Sequence, residues 1–258
     1  MSQAVVRCVR EGPVATVTMH RPEVANALDA AIRAGLSATL RDLGRARDVR
    51  VVILAGVGRA FCAGADLREP AATDVEAHIV AEYQPVFDAI VAMPQPVISS
   101  VAGFAAGAGL SLALVCDLTV MADDAYLLAP FSRIGLVTDC GASWLLARQI
   151  GYRRAFEVAI EAQRISAQRA LEWGLVNRVE PAGELPVRTS DWARSLAARS
   201  PAALAATKTA MRFAMGHGYA ETFALEAKLQ AGCAAGPDYA EGVRAFVEKR
   251  EAVFGGPR

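Results

Sequence analysis

The sequence has no excess of charge of either sign, because 27 Lys and Arg residues balance 27 Asp and Glu residues. A chain without a positive field is not drawn to nucleic acid or to an anionic membrane surface, so neither is expected as a partner. An anionic ligand must therefore be held by local groups. We find no sequence repeat and no low-complexity segment, and 258 residues with 53% hydrophobic content predict one large core.

Clusters of cysteine and of histidine are also missing. The three histidines lie far apart, which argues against a Ser–His or Cys–His nucleophile. No basic stretch followed by an apolar one appears near Met1, so we expect a cytoplasmic protein without a secretory signal. The cysteines form none of the close pairs that zinc sites and redox motifs use, and no metal is expected: Cys8, Cys62, Cys116, Cys140 and Cys233.

One long segment lacks charge altogether. From Ala89 to Cys116 there is no Asp, Glu, Lys or Arg, which is enough length for a membrane span. Prolines and glycines interrupt the segment, and its flanking residues are Asp88 and Asp117 instead of Lys or Arg. The pattern therefore predicts a buried strand that leads into a buried helix.

Apolar periodicity alternates between strands and helices in the first half of the chain and is mainly helical afterwards. Asn26 is expected to cap the first helix. Such strand–strand–helix units followed by a helical tail predict an α/β core, 1–195, with an appended helical region, 196–258. The predicted strands are 5–9, 14–19, 49–55, 97–101, 118–122, 126–128 and 175–179, and the predicted helices are 28–43, 75–93, one from 108 and several from 142 onward.

Two small-residue loops carry the strongest functional signal. Residues 61–67 read Phe-Cys-Ala-Gly-Ala-Asp-Leu, and residues 102–109 read Ala-Gly-Phe-Ala-Ala-Gly-Ala-Gly. Each follows a β-branched strand, and glycines allow backbone N–H groups to approach a ligand closely. Together the loops predict an oxyanion hole for a carbonyl oxygen, although the first loop alone is also compatible with an ordinary turn. The glycine spacing is not that of a dinucleotide loop, and no Gly-Lys-Ser/Thr is present.

These loops and several other stretches together resemble the enoyl-CoA hydratase/isomerase (crotonase) family over nearly the whole chain. The resemblance implies a spiral of ββα units, a C-terminal helical trimerisation region and a homotrimer or dimer of trimers. It also implies acyl-CoA thioester substrates with no cofactor beyond their coenzyme A. The remaining stretches that carry it are 21–22 with 26–28, 133–137, 164–167, 173–176, and 241–242 with 246–250.

The resemblance also implies roles for particular residues. The thioester oxygen would accept hydrogen bonds from the backbone N–H groups of Ala63 and Ala108. Asp66 would turn the first loop and cap the helix after it, and Phe131 would form a wall of the acyl pocket. Residues implied on the substrate or coenzyme A side are Val24, Ala25 and Asn26 near the adenine, Ala65, Asp66 and Leu67 in the first loop, Phe131, and Lys249, for which a solvated surface position is the alternative.

The sequence departs from the hydratase pattern at both catalytic glutamates. The matching positions hold Ser111 and Phe131, and neither side chain can act as a carboxylate base. Asp139 remains as the acid of the loop before residue 142, where isomerases of the family carry a catalytic Asp. One carboxylate beside the acyl chain suits the transfer of a single proton.

Asp139 is therefore interpreted as the base of an acyl-CoA isomerase that acts through a thioester enolate. A 2-enoyl-CoA hydratase that uses Asp139 and an unusual water position is the alternative within the enzymes. A non-catalytic acyl-CoA-binding protein is a second alternative, because both glutamates are missing. Asp139 also has a structural interpretation as the cap of the helix from 142, and Cys62 and Cys140 are interpreted as packing residues.

Overall fold

Two β-sheets organise the part of the chain that this computed structural model describes, residues 4–70 and 72–255. The strands within those residues are β1 (Val6–Glu11), β2 (Val14–Met19), β3 (Val51–Gly56), β4 (Val97–Val101), β5 (Phe104–Ala106), β6 (Leu118–Ala122), β7 (Tyr126–Leu128), β8 (Ile165–Ser166) and β9 (Arg178–Glu180). The larger sheet has the order β1-β2-β3-β4-β6-β9 and is parallel except for the β1–β2 hairpin. The smaller sheet, β5-β7-β8, stands beside it.

Helices follow the strands and then dominate the C-terminal third. Short 3₁₀ turns cover Pro22–Val24 and Phe131–Ile134, and a π-helical turn covers Ile79–Tyr83. The α-helices of the described residues are α1 (Ala30–Arg45), α2 (Val75–His78), α3 (Gln84–Ala92), α4 (Ala108–Val115), α5 (Ala142–Glu161), α6 (Ala167–Glu172), α7 (Leu185–Ala197), α8 (Pro201–Ala214), α9 (Tyr219–Ala234) and α10 (Pro237–Glu248).

The unit β4–β5–α4 shows how each strand pair delivers a helix. β4 is buried along its whole length in the large sheet, β5 crosses to the small sheet, and α4 then begins at once at Ala108. All eight residues of α4 are buried. The uncharged segment is therefore strand, strand and buried helix, which confirms the prediction of an α/β core of ββα units. Among the described helices, none combines the length and apolar character that a bilayer crossing requires.

Several element predictions need correction. β5 and β8 were not predicted, because each has only two or three residues and no alternation can be read from so few. The last strand of the large sheet lies at Arg178–Glu180 instead of 175–179. The predicted helix 75–93 is confirmed as one continuous helical segment, 75–92, whose middle residues, Ile79–Tyr83, form a π-helical turn between α2 and α3. The predicted boundary after residue 195 falls inside the last turn of α7, and α8 begins only at Pro201.

The predicted cap of α1 is also wrong. Asp29 caps this helix, since its carboxylate accepts the Ile32 N–H at 2.8 Å. Asn26 has a left-handed backbone with φ of 55° and is fully buried. Its Oδ1 accepts the Arg21 N–H, and its Nδ2 donates to backbone carbonyls of the loop after β3. Asn26 therefore ties two loops together before the helix starts.

Ion pairs of Lys208 and Arg212 with Asp117 attach helix α8 to the core. Lys208 of α8 is buried, and its Nζ lies 2.8 Å from Asp117 at the end of α4. Nζ also donates to the carbonyls of Ile90 and Gln95, so all three ammonium protons have acceptors. Burial lowers the pKa of Lys208, and the Asp117 carboxylate opposes that shift. Beyond α8, helix α9 leaves no residue buried.

Gly103 between β4 and β5 is expected to tolerate no side chain. Its φ is +61°, and a Cβ there would lie 1.9 Å from the Arg59 carbonyl oxygen. Gly12 in the β1–β2 turn has a similar φ of +57° but open space around it. Gly12→Ala should cost about 1–2 kcal/mol for the left-handed backbone. Gly103→Ala should cost about 1–3 kcal/mol more, because it adds a clash with backbone.

Urea unfolding of the two variants measures this difference directly. Equal losses in the free energy of unfolding would mean that the loop around Arg59 moves away freely, which would contradict the tight contact between the two segments.

Candidate active site

The two small-residue loops lie side by side as a short parallel ladder. The Cys62 N–H donates to the Phe104 carbonyl at 3.3 Å, and the Ala106 N–H donates to the Cys62 carbonyl at 2.9 Å. Cys62 thereby pairs with Ala105 as an isolated parallel bridge. Three residues beyond that bridge, the first segment reaches Ala65 and the second reaches Ala108. The pairing register therefore brings these two positions to the same end of the ladder.

Glycines let the two segments come this close. A Cβ on Gly64, whose φ is +93°, would lie 3.2 Å from the Ala108 nitrogen and 2.7 Å from the Ala106 oxygen. A Cβ on Gly109 would lie 2.4 Å from the Cys62 carbonyl oxygen. Any side chain at either position would push the segments apart, so the backbone contact requires glycine at both.

Two backbone N–H groups at this end of the ladder have no hydrogen-bond acceptor among the described residues. Ala108 is the first residue of α4, where no intrahelical acceptor exists, and Ala65 follows the Gly64 turn and is exposed. The prediction for Ala63 is wrong, because its N–H donates to the Ala25 carbonyl at 2.9 Å. The positive end of the α4 dipole adds to the attraction for a negatively charged oxygen at Ala108.

Arginines fix the chain beyond Ala65. Asp66 is buried and lies 3.0 Å from Arg21 and 3.1 Å from Arg68. Hydrogen bonds from the Arg68 side chain, with smaller contributions from the Arg68 backbone and Arg21, lower the pKa of Asp66. Asp66 also accepts the Arg68 N–H and so turns the loop as predicted. It caps no helix, because the next helix begins at Val75 and Asp74 caps it.

A buried arginine, Arg33, which sequence reasoning missed, joins this loop to α1. Arg33 is 2% exposed, lies 2.8 Å from Glu69, and donates to the Leu28 carbonyl and the Tyr83 hydroxyl. Glu69 in turn accepts the N–H of Ala30 in the first turn of α1. An arginine in an amphipathic helix is expected on the exposed face. The sequence therefore gives no indication that Arg33 is buried and joins the loop to α1.

Asp139 lies on the loop between the 3₁₀ turn and α5, and its carboxylate is poorly solvated. Its Oδ1 is buried and has no hydrogen-bond partner among the described residues. Burial raises the pKa of Asp139, and the neighbouring Cys140 thiol and the backbone lower it only in part. The interpretation as a helix cap is wrong for the side chain, because Gly141 caps α5 without a side-chain bond. A half-buried carboxylate with a raised pKa is suited to accept a proton near neutral pH.

The two positions of the missing glutamates border this same region. Ser111 is fully buried on α4, and its hydroxyl donates to the Asp139 carbonyl at 3.1 Å. Phe131 is buried with its ring near Gly107, since a Cβ there would lie 3.9 Å from Phe131 Cζ. The Asp139 backbone and the unpaired Ala108 N–H therefore both lie at the first turn of α4, and the Phe131 ring lies near the residue before it.

The nearby cysteines behave as packing residues. Burial raises the pKa of Cys62 to about 12, so its thiol is protonated at neutral pH. Burial and the Asp139 carboxylate raise the pKa of Cys140 as well. Neither thiol has the depressed pKa that a nucleophilic cysteine needs.

The residues predicted to bind the nucleotide are divided between exposed and buried positions. Leu67 is 74% exposed, and Lys249 is exposed in a left-handed backbone at the end of α10. Val24 is half-buried, and Ala25 is buried with its carbonyl accepting the Ala63 N–H. Asn26 is fully buried and uses its side-chain atoms within the protein, and its N–H donates to the Arg21 carbonyl at 2.9 Å, so only its carbonyl oxygen is left for a ligand.

Comparison with known proteins identifies the fold and the family together. The sequence model of the family "Enoyl-CoA hydratase/isomerase" matches residues 10–257. The chain belongs to the enoyl-CoA hydratase/isomerase family. A crystal structure of an enoyl-CoA hydratase from Geobacillus kaustophilus HTA426 superposes with a TM-score of 0.93 at 34% identity and covers 98% of both chains. The crotonase-like fold expected from the sequence is thereby confirmed.

Some relatives in the enoyl-CoA hydratase/isomerase family are named as hydratases and others as isomerases. A probable enoyl-CoA hydratase of Rhodobacter capsulatus is 40% identical over 99% of this chain and 100% of its own length. The 1,2-epoxyphenylacetyl-CoA isomerase of Escherichia coli is 35% identical over the same shares. Membership in the family establishes an enzyme family that acts on acyl-CoA thioesters, and it leaves the choice of reaction to the site.

The raised pKa of Asp139 predicts an unusual effect on stability. The native state binds the Asp139 proton more tightly than the unfolded chain, whose Asp pKa is about 3.9, so this group lowers stability as pH rises through its native pKa. Asp139→Asn removes the buried charge and should raise Tm at pH 8. The gain should shrink as pH falls toward 4, which thermal unfolding at several pH values measures.

Asp66→Asn is a matched control, because the pKa of Asp66 is shifted in the opposite direction to that of Asp139. The pKa of Asp66 is lowered in the native state, so its charge stabilises the fold above about pH 4, near the unfolded value, and that stability is lost in more acidic solution. Asp66→Asn should therefore lower Tm at pH 8. A similar loss of Tm at pH 8 in both variants would contradict the burial argument for Asp139.

Proposed function

We propose that this protein is an acyl-CoA isomerase that moves a carbon–carbon double bond by transferring one proton through a thioester enolate. The observation that carries the proposal is the combination of a single poorly solvated carboxylate, Asp139, with Ser111 and Phe131 at the two glutamate positions. One carboxylate can remove a proton from one carbon and return it to another. The reaction consumes no water and needs no cofactor beyond the coenzyme A of the substrate.

Two backbone groups are proposed to stabilise the enolate. When the proton leaves the acyl chain, negative charge develops on the thioester oxygen. The N–H groups of Ala65 and Ala108 have no acceptor within the described residues and are available to donate to that oxygen. In a site with little water such donors are strong, because they need no reorganisation as the charge forms.

Asp139 is proposed as the base that removes and returns the proton. Burial raises its pKa, which brings the carboxylate closer to the neutral range in which a base works best. Its unpartnered Oδ1 has no hydrogen bond to break before it accepts the proton. The Phe131 ring beside Gly107 supports the proposal by keeping a carboxylate and its water out of that position.

The proposed coenzyme A contacts are Val24, Ala25 and the Asn26 backbone, the loop of Ala65, Asp66 and Leu67, and Lys249. The C-terminal helices are proposed to assemble the chain into a homotrimer or dimer of trimers. Large apolar side chains that remain exposed in this region support assembly: Met211, Phe223, Phe246 and Val247.

A hydratase remains the second candidate, since the Rhodobacter capsulatus relative is named as one. Hydration needs one group to activate water and one to supply a proton to carbon, and a lone Asp139 would have to perform both steps. Parallel assays with crotonyl-CoA and a 3-enoyl-CoA separate the reactions. Faster hydration than isomerisation would favour the hydratase.

Asp139→Asn should reduce proton exchange by about 10²–10⁴-fold, the usual contribution of a positioned acid–base group. The measurement is deuterium uptake from D₂O into bound 3-enoyl-CoA esters, followed by mass spectrometry. Asp124→Asn removes an exposed carboxylate outside the site and should exchange like the wild type.

Unchanged exchange in Asp139→Asn would reject Asp139 as the base. Tight acyl-CoA binding by the wild type with no exchange would instead support the non-catalytic alternative.

Ala108→Pro tests the backbone donor without removing a needed hydrogen bond. Ala108 is the first residue of α4, a position at which proline is accepted because its N–H has no helical acceptor. Loss of this donor should lower kcat by about 10²–10³-fold. Tyr219→Pro makes the same change at the first residue of α9, where the side chain is 84% exposed, and should leave kcat unchanged.

Equal activity of Ala108→Pro and wild type would show that the Ala108 N–H does not contact the reacting oxygen. Circular dichroism of both proline variants establishes that helix content is retained.

A further inference from the structure

Ser111 has an unusual hydrogen bond for a residue inside an apolar helix. Helix α4 reads Ala-Gly-Leu-Ser-Leu-Ala-Leu-Val, so Ser111 carries its only side-chain polar group. A buried serine in a helix usually bonds to the carbonyl of its own preceding turn. The Ser111 hydroxyl instead donates to the carbonyl of Asp139, 28 residues later in the chain, at 3.1 Å.

Two hydrogen bonds hold the Asp139 carbonyl oxygen, whereas one oxygen of its carboxylate has no partner among the described residues. Its carbonyl oxygen accepts both the Ser111 hydroxyl and the Ala142 N–H, the latter at 2.9 Å. Cys140 and Gly141, which follow, both have a left-handed backbone with φ of 50° and 80°. The carboxylate Oδ1 has no partner among the described residues. The position of the carboxyl group therefore depends on how the backbone is anchored.

Helix α4 contains both the Ala108 N–H and the serine that bonds to the Asp139 carbonyl. Ala108, whose N–H is unpaired, and Ser111 lie three residues apart, which is about 4.5 Å along a helix axis. A rigid, fully buried helix keeps that separation constant. The Ser111 hydroxyl thus connects the Asp139 loop to the same helix that presents the Ala108 N–H.

We propose that Ser111 is a positioning residue that fixes the Asp139 carboxylate relative to the Ala108 N–H. This inference rests on the proposed function, in which these two groups act on one thioester. Ser111 touches no reacting atom, and it acts through the Asp139 carbonyl. The hydrogen bond to the Asp139 carbonyl also gives the serine at this glutamate position a structural role.

The test is a double-mutant cycle with deuterium exchange into a 3-enoyl-CoA as the readout. Ser111→Ala should lower kcat for exchange by about 10-fold or more with little change in KM, since small displacements of a reacting group are costly. In the Asp139→Asn background the same substitution should have no further effect, because two residues that act as one unit are not additive.

Ser99 provides the matched control. It is fully buried, and its hydroxyl donates to the Ala113 carbonyl of α4 at 3.0 Å, far along the helix from Ala108. Ser99→Ala should lower Tm to a similar extent and leave exchange unchanged. Ser111→Cys keeps the shape but donates weakly, and it should lie between Ser and Ala in rate if Ser111→Ala does not fold.

The outcomes separate the two proposals. If Asp139→Asn exchanges normally, the proposed function fails. If Asp139→Asn loses exchange but Ser111→Ala loses nothing, or loses the same factor in both backgrounds, the positioning role of Ser111 is overturned. Gain of crotonyl-CoA hydration in Ser111→Glu with exchange retained would also overturn it, because a glutamate would then fit without moving Asp139.

Discussion

The close approach of two backbone segments is the constraint on which the rest of this site depends. Gly64 and Gly109 each face backbone atoms of the opposite segment at distances that exclude a side chain. That contact brings the Ala65 and Ala108 N–H groups to the same end of a short parallel ladder, where neither has an acceptor among the residues described. The ββα unit makes this contact possible, because β4 and β5 lead the chain to Ala108, the first residue of the buried helix α4.

Ion pairs in the surrounding loops hold the residues at this end of the ladder in place. Asp66 lies between Arg21 and Arg68, while Arg33 and Glu69 join the following residues to α1. Buried or half-buried charges cost desolvation energy, and here each has a partner of opposite sign. Asp139 differs, since its buried Oδ1 has no hydrogen-bond partner in the described part of the chain. The site thus combines charged side chains that have partners of opposite sign with one acid, Asp139, that has none of these ion pairs. Perturbed acids of this kind are typical of functional positions.

Much of the fold could be predicted from the sequence, and the site only in part. Long apolar strands and the uncharged segment predicted the large sheet and α4, because burial on both sides leaves a strong pattern. β5 and β8 are too short to leave one. The sequence predicts the Ala63 N–H as a free donor, and this is wrong because the Ala25 carbonyl that accepts it lies on a loop distant in sequence. Arg33 was missed for a similar reason, as its partners are distant in sequence.

The structure shows what the residues at the two glutamate positions, Ser111 and Phe131, contact. Phe131 lies against Gly107, and Ser111 bonds to the Asp139 carbonyl, so both residues border the same loop. Burial raises the pKa of Asp139 and favours its protonated form, and an aromatic ring at position 131 adds no carboxylate to this region. A second carboxylate at position 111 would add a like charge beside Asp139. Neither position supplies a second carboxylate, and the Ser111 hydroxyl instead holds the Asp139 backbone from helix α4.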